Sequence, residues 1–372
     1  MKLHLLCENL QKKLPYVTKI VSSKNQLPVL SNVLLKTKNG KLQIKGTDLE
    51  IGIQIEVPAN IEEEGAVTVP AKAFSDLINA FSEEKITLQT KGNLFEVTTK
   101  KTKSTFQTLP EEEFPKLYEE KGEKIMSIKK DFLEKKLPSV IFAASQDLNR
   151  PNLSGILIKK GVKDLTMVAT DGYRLSLRDL EVELLKNEDQ EVISMLLIPA
   201  RVFKEAIFLK DQEGEVEVYI FKKNNQILFK QDGTILVGRL IDAEYPSYEK
   251  IIPSGFSTTM LVDKEEIQKA VKICSVFARE TANIIRFSLK NDLLIVSANT
   301  PSVGDNKVEV SAKITGDESE IAFNAKYLLD LFANIQTEEL IFETSGPLTA
   351  GVFKIKEDPS FLHLIMPIRV QE

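Results

Sequence analysis

Apolar residues recur at helical spacing in three long stretches of the chain, and a shorter helix-like segment follows each of them. The long stretches are residues 8–22, 131–145 and 264–278, and the shorter ones are 72–81, 201–209 and 326–334. In the second stretch, for instance, Leu133, Leu137 and Val140 fall on one face of a helix. We therefore predict six helices. We expect Pro15 and Pro138 to kink the long helices 8–22 and 131–145 or to displace their starts.

Between these helices the pattern changes to strict alternation of apolar and polar residues. Examples are the segments 42–45, 87–90 and 216–219. Such alternation is typical of antiparallel sheets that turn one face to solvent. The predicted fold class is therefore α+β, built from units of about two helices and several strands.

Short signatures recur in the same order at intervals close to one third of the chain. Thr47-Asp48 and Thr170-Asp171 lie 123 residues apart, and a weaker echo is Asn299-Thr300. A second signature consists of Pro70-Ala71, Pro199-Ala200 and Asn324-Ala325, each directly before one of the shorter helices. Repeats at a fixed period indicate duplicated structural units. We predict three similar domains, at residues 1–125, 126–252 and 253–372.

The charge balance at first argues against a nucleic-acid-binding protein. The chain of 372 residues carries 49 Lys and Arg against 54 Asp and Glu, a net charge of −5, whereas such proteins are usually basic. Many of the bases, however, fall in the predicted helices, and acidic runs such as 62–64 and 111–113 fall between them. The bases either form ordinary solvated helix faces or, if all copies orient their helices alike, one basic surface.

The chain offers little material for catalysis. His4 and His363 lie near opposite ends, and Cys7 and Cys274 form neither a disulfide framework nor a metal-binding pair. Phosphate-binding glycine loops are also absent. We predict a protein that is not an enzyme and uses no metal or cofactor, with both cysteines as small core residues.

The sequence also indicates a location away from membranes. No apolar run approaches the ~20 residues that span a bilayer. Glu8 interrupts the apolar start, which therefore lacks the pattern of a signal peptide. We expect a cytosolic protein without a membrane partner.

Two segments have a pattern that points to binding. In residues 169–177 a strand ends at Asp171-Gly172, which is either a strand-end turn, the favoured reading, or a carboxylate metal ligand. The second segment, 364–372, is apolar although chain ends are usually polar and frayed. Its Met366 and Ile368 alternate as in a strand, and Pro367 suggests a sheet edge. An apolar edge of this kind favours docking of a partner peptide.

These segments resemble the beta subunits of bacterial DNA polymerase III, the replicative sliding clamps. The resemblance spans the whole chain and rests on the segments 27–32, 46–50, 170–175, 245–246 and 366–370. It implies the DNA-clamp fold, in which two three-domain protomers close head to tail into a ring. Helices would line the hole and sheets would form the outside.

The resemblance also implies a partner cleft on the second and third domains. Polymerases (among them the polymerase III alpha subunit), the clamp loader and repair proteins would insert a short peptide there, anchored by leucine and phenylalanine. Tyr173 stands where some relatives have His, and Lys250 where others have Arg. The implied lining consists of Leu153, Thr170, Gly172, Tyr173, Arg174, Leu175, Pro246, Lys250, Ile251, Leu364, Met366, Pro367, Ile368 and Arg369.

Two further surfaces follow from the resemblance. The implied DNA-facing residues are Lys24, Gln146, Arg150, Arg201, Asn324 and Tyr327. A seam between two copies would join Phe106 in the first domain to Val276 and Phe277 in the third. The expected function is that of a processivity factor: a homodimer that encircles double-stranded DNA without reading its sequence. The alternative is a non-catalytic triplicated scaffold, which gives no reason for bases to concentrate in helices.

Overall fold

The computed structural model describes residues 1–21, 27–82, 84–118, 122–147, 149–160, 165–180, 195–211, 214–280, 282–302 and 304–369. The chain divides into two compact units. One comprises Met1–Ile128 and Phe208–Leu240, and the other comprises Lys129–Ile207 and Ile241–Glu372. Each unit is described by itself.

The first unit contains an eight-stranded and a five-stranded sheet, and all neighbouring strands are antiparallel. The larger sheet has the order β10-β15-β16-β17-β4-β3-β2-β6. Its strands are β2 (Asn32–Lys38), β3 (Lys41–Thr47), β4 (Ile51–Pro58), β6 (Ala66–Pro70), β10 (Glu123–Ile128), β15 (Val216–Phe221), β16 (Gln226–Gln231) and β17 (Thr234–Arg239). The smaller sheet, in the order β5-β1-β7-β8-β9, consists of β1 (Lys2–Leu6), β5 (Asn60–Glu63), β7 (Lys85–Lys91), β8 (Leu94–Thr98) and β9 (Lys103–Gln107).

Two helices of the first unit, α1 (Cys7–Thr18) and α2 (Ala71–Ala80), bury one face each. Leu10, Leu14 and Val17 of α1 are fully buried, which is the helical spacing that predicted this element. Pro15 lies inside α1, and the helix ends at Thr18, before the predicted end.

The second unit is built on one twelve-stranded sheet. Its order is β14-β11-β12-β13-β25-β24-β23-β18-β21-β20-β19-β22. The strands are β11 (Gly155–Lys160), β12 (Leu165–Thr170), β13 (Arg174–Leu180), β14 (Met195–Pro199), β18 (Thr258–Asp263), β19 (Ile284–Lys290), β20 (Leu293–Thr300), β21 (Gly304–Gly316), β22 (Ser319–Asn324), β23 (Glu339–Thr344), β24 (Gly351–Ile355) and β25 (Asp358–Ile365). The pairing of β13 with β25 joins residues almost 190 positions apart in the chain.

The helices of the second unit are α3 (Pro138–Ile141), α4 (Pro151–Ser154), α5 (Ala200–Ala206), α6 (Lys264–Ala278) and α7 (Ala325–Asn334). The prediction of one helix over 131–145 is wrong, since a π-helical turn (Phe132–Lys136) precedes the short α3. Pro138 explains the break, because it lacks an N–H and its ring clashes with the carbonyl four residues earlier. Asp263 and Asn324 cap α6 and α7 with their side chains.

The repeated signatures occupy matching structural positions. Pro70, Pro199 and Asn324 each end a strand, and a helix begins at the next residue. Thr47 and Thr170 each end a strand, and Asp48 and Asp171 open the turn that follows. The third copy differs, because Asn299-Thr300 lies inside or at the end of β20.

The cores of the two units are apolar, and both cysteines belong to them as predicted. In the second unit Phe287, Phe323 and Phe342 meet edge to face, with ring centroids 5.6–6.1 Å apart. Burial raises the pKa of Cys274 to about 11, so its thiol stays protonated at neutral pH. Among the described residues, no helix is long and apolar enough to cross a membrane.

Candidate functional site

Two side chains set the shape of the turn from Thr170 to Arg174, between β12 and β13. The Thr170 hydroxyl donates to the Arg174 carbonyl at 2.6 Å and accepts from the Gly172 N–H at 3.1 Å. The Asp171 carboxylate accepts from the Tyr173 N–H at 2.9 Å and the Arg174 N–H at 3.0 Å. Gly172 has φ +94°, a region that glycine enters without strain. The favoured reading of Asp171-Gly172 as a strand-end turn is confirmed.

The C-terminal segment, residues 366–369, continues from β25 along this turn. The Met366 N–H donates to the Tyr173 carbonyl at 2.8 Å, and the Ile368 N–H donates to the Ala322 carbonyl at 2.8 Å. Pro367, between them, has no N–H to donate. Two backbone bonds therefore fix the segment, while 40% of Met366 remains exposed.

The floor beneath the turn and the C-terminal segment is apolar. Leu175 on β13 lies opposite Leu364 on β25, and both are fully buried. They share a cluster with Val168, Val352 and Tyr248. Leu153, on α4, is also buried.

The segment 241–252 packs on the same apolar cluster and carries three predicted lining residues. Its Tyr245 hydroxyl donates to a backbone carbonyl of β12, and burial raises the pKa of that phenol. Pro246, Lys250 and Ile251 are exposed, Ile251 by 45%. The segment thus offers an apolar and a basic side chain to solvent above a buried apolar layer.

Arg174 points inward and is only 7% exposed. Its Nε donates to Asp171 Oδ2 at 3.1 Å, its Nη1 to Asp330 Oδ2 at 2.8 Å and its Nη2 to the Phe142 carbonyl at 3.1 Å. Its Cζ lies 4.7 Å from the ring centroid of Tyr327 and 5.4 Å from that of Phe142. The guanidinium group is therefore held by three hydrogen bonds and packs near two aromatic rings.

The residues predicted to face DNA are placed in different surroundings. Lys24 lies outside the described residues. Gln146 and Arg201 are exposed, whereas the Asn324 side chain caps α7 by accepting from the Lys326 N–H at 2.9 Å.

Two of these residues lie against the Thr170–Arg174 turn. Arg150 donates through Nη1 to the Asp171 carbonyl at 3.3 Å. Tyr327 stacks on Tyr173, with ring centroids 6.4 Å apart and planes 20° from parallel. Burial and the nearby Asp171 carboxylate raise the pKa of Tyr327. The structure therefore brings part of the predicted DNA-facing set beside part of the predicted cleft.

The residues of the predicted seam lie on exposed elements of their own units. Phe106 belongs to β9, which in the described part of the chain pairs with β8 alone, and its ring contacts Phe74 and Phe95. On α6 of the second unit Val276 is 56% exposed, and Phe277 packs partly against the core.

Sequence reasoning missed three residues around Arg174. Phe142 and Asp330 hold its guanidinium group, and His363 is buried behind it on β25. Asp330 lies three positions after Tyr327 on α7, a spacing that puts both on one helix face and is the single sequence signal available. Phe142 follows α3 and His363 lies on β25, so their approach to Arg174 depends on packing and strand pairing between distant segments.

Matches to family models cover nearly all of the chain. The models describe the DNA polymerase III beta subunit: its N-terminal domain matches residues 1–118, its central domain 127–247 and its C-terminal domain 249–369. The chain belongs to the family of DNA polymerase III beta subunits, the sliding clamps. The predicted three-domain clamp fold is thereby confirmed, whereas the predicted domain bounds stay predictions.

Curated relatives and solved structures agree over the full length. The chain is 29% identical to the beta sliding clamp of Pseudomonas aeruginosa, with 98% of each chain covered. The DNA polymerase sliding clamp of Bacillus subtilis covers 100% of both chains with a TM-score of 0.93 at 25% identity. A Pseudomonas aeruginosa clamp bound to griselimycin does so with a TM-score of 0.92 at 28% identity.

Membership in this family assigns the function at the level of its class. The chain is a processivity factor of DNA replication, a non-catalytic protein whose partners are DNA and polymerase. The scaffold alternative is not favoured. The cleft, DNA-facing and seam residues stay predictions.

Proposed function

We propose that two copies of this chain close into a ring around duplex DNA, and that each copy holds its partners by a short peptide. The observation that carries the peptide site is the union of the Thr170–Arg174 turn with the C-terminal segment. Two backbone bonds, from Met366 and Ile368, fix an apolar rim above a fully buried floor of Leu175 and Leu364.

The chemistry of this cleft suits apolar anchor side chains. Met366 and Ile251 are 40% and 45% exposed, so both offer apolar surface to a ligand. Methionine adapts its shape to different ligands. Lys250 adds a positive charge at the exposed edge. An extended peptide with leucine and phenylalanine anchors and a nearby acidic residue would satisfy these groups.

Ring closure would use exposed elements of each unit. The edge strand β9 offers backbone groups for pairing with another chain. On α6 the exposed Val276 and Ile273, which is 39% exposed, lie three positions apart and form an apolar strip. Joining β9 of one copy to the α6 region of another generates a head-to-tail contact, and two such contacts close a ring.

The electrostatic balance is consistent with topological retention of DNA. A dimer would carry twice the net charge of −5, which repels DNA from most of its surface. Phosphate contacts alone give Kd values of about 10⁻⁴–10⁻⁶ M at physiological salt, weak enough for sliding. Retention must then come from the closed ring.

Binding of a labelled peptide tests the cleft. The probe is a fluorescent peptide with adjacent leucine and phenylalanine, and the isolated polymerase III alpha subunit serves as a second probe. Met366→Glu should weaken both by at least about tenfold, since it places a charge on the apolar rim. Met195→Glu is the matched control, because Met195 on β14 is 49% exposed. Equal binding by the two variants would refute the assignment.

Retention on circular DNA tests the ring. The protein is loaded by a clamp loader and ATP onto a nicked circle, and half of the sample is then linearised. Gel filtration should show co-elution with the circle and loss from the linear form. Val276→Glu should abolish retention and give a monomer in ultracentrifugation, whereas the exposed Leu348→Glu should not. Equal retention on both DNA forms would contradict the ring.

A further inference from the structure

We propose that Arg174 and Asp330 act as positioning residues for the peptide cleft, and that Arg174 is not itself a ligand of the peptide. The inference rests on the proposed function, because it concerns how the same cleft is held in shape. Arg174 links the turn to α7, and this link keeps the paired rings of Tyr173 and Tyr327 in place.

The guanidinium group of Arg174 is turned into the protein and is engaged there. Each of its three guanidinium nitrogens already donates, at 2.8–3.1 Å, to Asp171, Asp330 or the Phe142 carbonyl. The residue is 7% exposed, and the rings of Phe142 and Tyr327 lie 5.4 and 4.7 Å from its Cζ. A peptide carboxylate would therefore reach the guanidinium group only after the side chains around it move.

The groups that Arg174 joins belong to separate parts of the unit. Asp171 lies in the turn, the Phe142 carbonyl follows α3, and Asp330 lies in the middle of α7. Planar guanidinium groups fix the direction as well as the distance of each partner. Arg174 therefore sets where α7 lies relative to the turn.

The orientation of α7 determines one wall of the cleft. Tyr327 lies one helical turn before Asp330 on the same face, and its ring stacks on Tyr173. Tyr173 is 59% exposed, its ring stacks on Tyr327, and its backbone accepts from the Met366 N–H and donates to Asp171. Loss of the Arg174–Asp330 bond should release Tyr327 and with it the Tyr173 ring.

The turn itself does not need the arginine. The first copy of the signature, Thr47–Ile51, forms the same hydrogen bonds with Ile51 in the place of Arg174. The side chain of Arg174 thus serves contacts beyond the turn.

The experiment uses a tryptophan reporter in the full-length chain, which contains no natural Trp. Tyr173→Trp is combined with Asp330→Ala, with Asp330→Asn, or with Lys326→Ala as the control, since Lys326 is exposed on the same helix. We expect Asp330→Ala to lower the fluorescence anisotropy of the reporter and shift its emission to the red. The control should change neither, and Asp330→Asn should fall between them.

Peptide binding supplies the second readout, in the chain without the reporter. Asp330→Ala should raise the Kd of the leucine–phenylalanine peptide about tenfold, a coupling typical of contacting residues. The loss should be the same for a peptide in which all acidic residues are replaced by glutamine. Arg174→Lys should not keep full peptide binding, because lysine retains the charge but lacks the planar group that fixes the partners of Arg174.

The outcomes separate this inference from the proposed function. A loss confined to the acidic peptide would mean that Arg174 binds the peptide directly, and the inference would fail. Unchanged anisotropy and affinity in Asp330→Ala would also overturn it. If the unmodified chain binds neither peptide, the proposed cleft fails, whereas the anisotropy still decides whether Asp330 holds the ring.

Discussion

The part of the chain that the structure describes contains the same turn twice, and the two copies are followed by strands of opposite character. In the first turn, Thr47–Ile51, the Thr47 hydroxyl donates to the Ile51 carbonyl at 2.8 Å, and Asp48 accepts from the N–H groups of Glu50 and Ile51. In the second turn, Thr170–Arg174, threonine and aspartate make the corresponding bonds. The next backbone contact is also equivalent. The Arg239 backbone N–H donates to the Glu50 carbonyl, just as the Met366 backbone N–H donates to the Tyr173 carbonyl.

The strands that leave the two turns differ on their inward faces. On β4 the inward residues are Ile51, Ile53 and Ile55, all buried. On β13 the corresponding residues are Arg174, Ser176 and Arg178, which are equally buried and polar. Their cross-strand neighbours differ as well: Ile53 lies opposite Leu236, whereas Ser176 lies opposite His363.

Arg174, Ser176 and Arg178 form a buried polar layer. The difference from β4 shows that neither the turn nor the sheet requires polar residues at these positions. The layer is satisfied by specific partners: Ser176 contacts His363 Nδ1 at 2.6 Å, and Arg178 donates to Asp358 and to Ser139. Buried polar networks are seldom more stable than apolar packing of the same volume, but they specify one arrangement. The second copy therefore has, in place of the apolar layer of β4, a polar layer whose hydrogen bonds fix the neighbouring elements beneath the proposed cleft.

Removing the aspartate from each turn should give the largest contrast. Asp48→Ala removes two hydrogen bonds to backbone N–H groups and should lower the free energy of unfolding by about 1–2 kcal/mol. Asp171→Ala also leaves the buried Arg174 without one of its two carboxylates, so we expect a loss of about 3 kcal/mol. Urea denaturation measures both, and hydrogen exchange locates them to β4 and β13. Equal losses would mean that the polar layer adds nothing to the second turn.

Acid should distinguish the two layers through His363. Full burial, and then the charge of Arg174, hold the pKa of His363 well below its usual value. The unfolded chain binds a proton near pH 6.5 and the folded chain does not, so stability is complete above that pH and falls below it. Between pH 6.5 and 5.5 we expect the chain to lose up to about 1 kcal/mol more than His363→Gln.

The control for this titration is built into the comparison. His4 is present both in the unsubstituted chain and in His363→Gln, so its contribution cancels in the difference between them. The equivalent of His363 in the first copy, Leu236, does not titrate. Denaturant midpoints at several pH values supply the measurement. An identical pH profile for the two proteins would show that folding leaves the pKa of His363 unchanged, which would contradict this prediction.

The sequence identified the parts of this site that local chemistry determines. Thr170-Asp171-Gly172 predicts the turn because a hydroxyl, a carboxylate and a residue tolerant of positive φ are the groups that a tight turn uses. The C-terminal segment predicted peptide docking because it is apolar, whereas chain ends are usually polar and frayed. The α+β class followed from alternation and helical spacing, which report which face of each element is buried.

The polar layer could not be predicted in this way. Arg174 and Arg178 alternate with Leu175 and Leu177, a pattern typical of a strand with one face in solvent. Their burial depends on β25, α3 and α7, which cover that face from distant parts of the chain. A kink or a displaced helix start was expected at Pro138, and α3 does begin there, but the π-helical turn before it depends on its tertiary surroundings.

The smallest expected effect concerns the third residue of each turn. Leu49 has φ +78° where its equivalent, Gly172, has φ +94°, and Leu49 is 52% exposed. A left-handed conformation costs a leucine about 1–2 kcal/mol. A glycine avoids this cost, but its greater conformational freedom stabilises the unfolded chain by about 0.4–1 kcal/mol. Leu49→Gly should therefore stabilise the fold by at most about 1.6 kcal/mol, measured by urea denaturation, and leave peptide binding unchanged.

The reverse substitution, Gly172→Leu, should destabilise by a similar small amount and also weaken peptide binding. A Cβ at this position has open space, with Arg150 Nη1 at 3.7 Å as its nearest neighbour, so the new side chain would project beside the exposed Tyr173. If Gly172→Leu keeps full peptide affinity, the peptide does not pass over the turn. If Leu49→Gly destabilises the chain, the exposed leucine makes a contact whose loss outweighs the relief of strain. The first turn would then have a binding role of its own, and the contrast between the two copies would be one of ligand rather than of presence or absence.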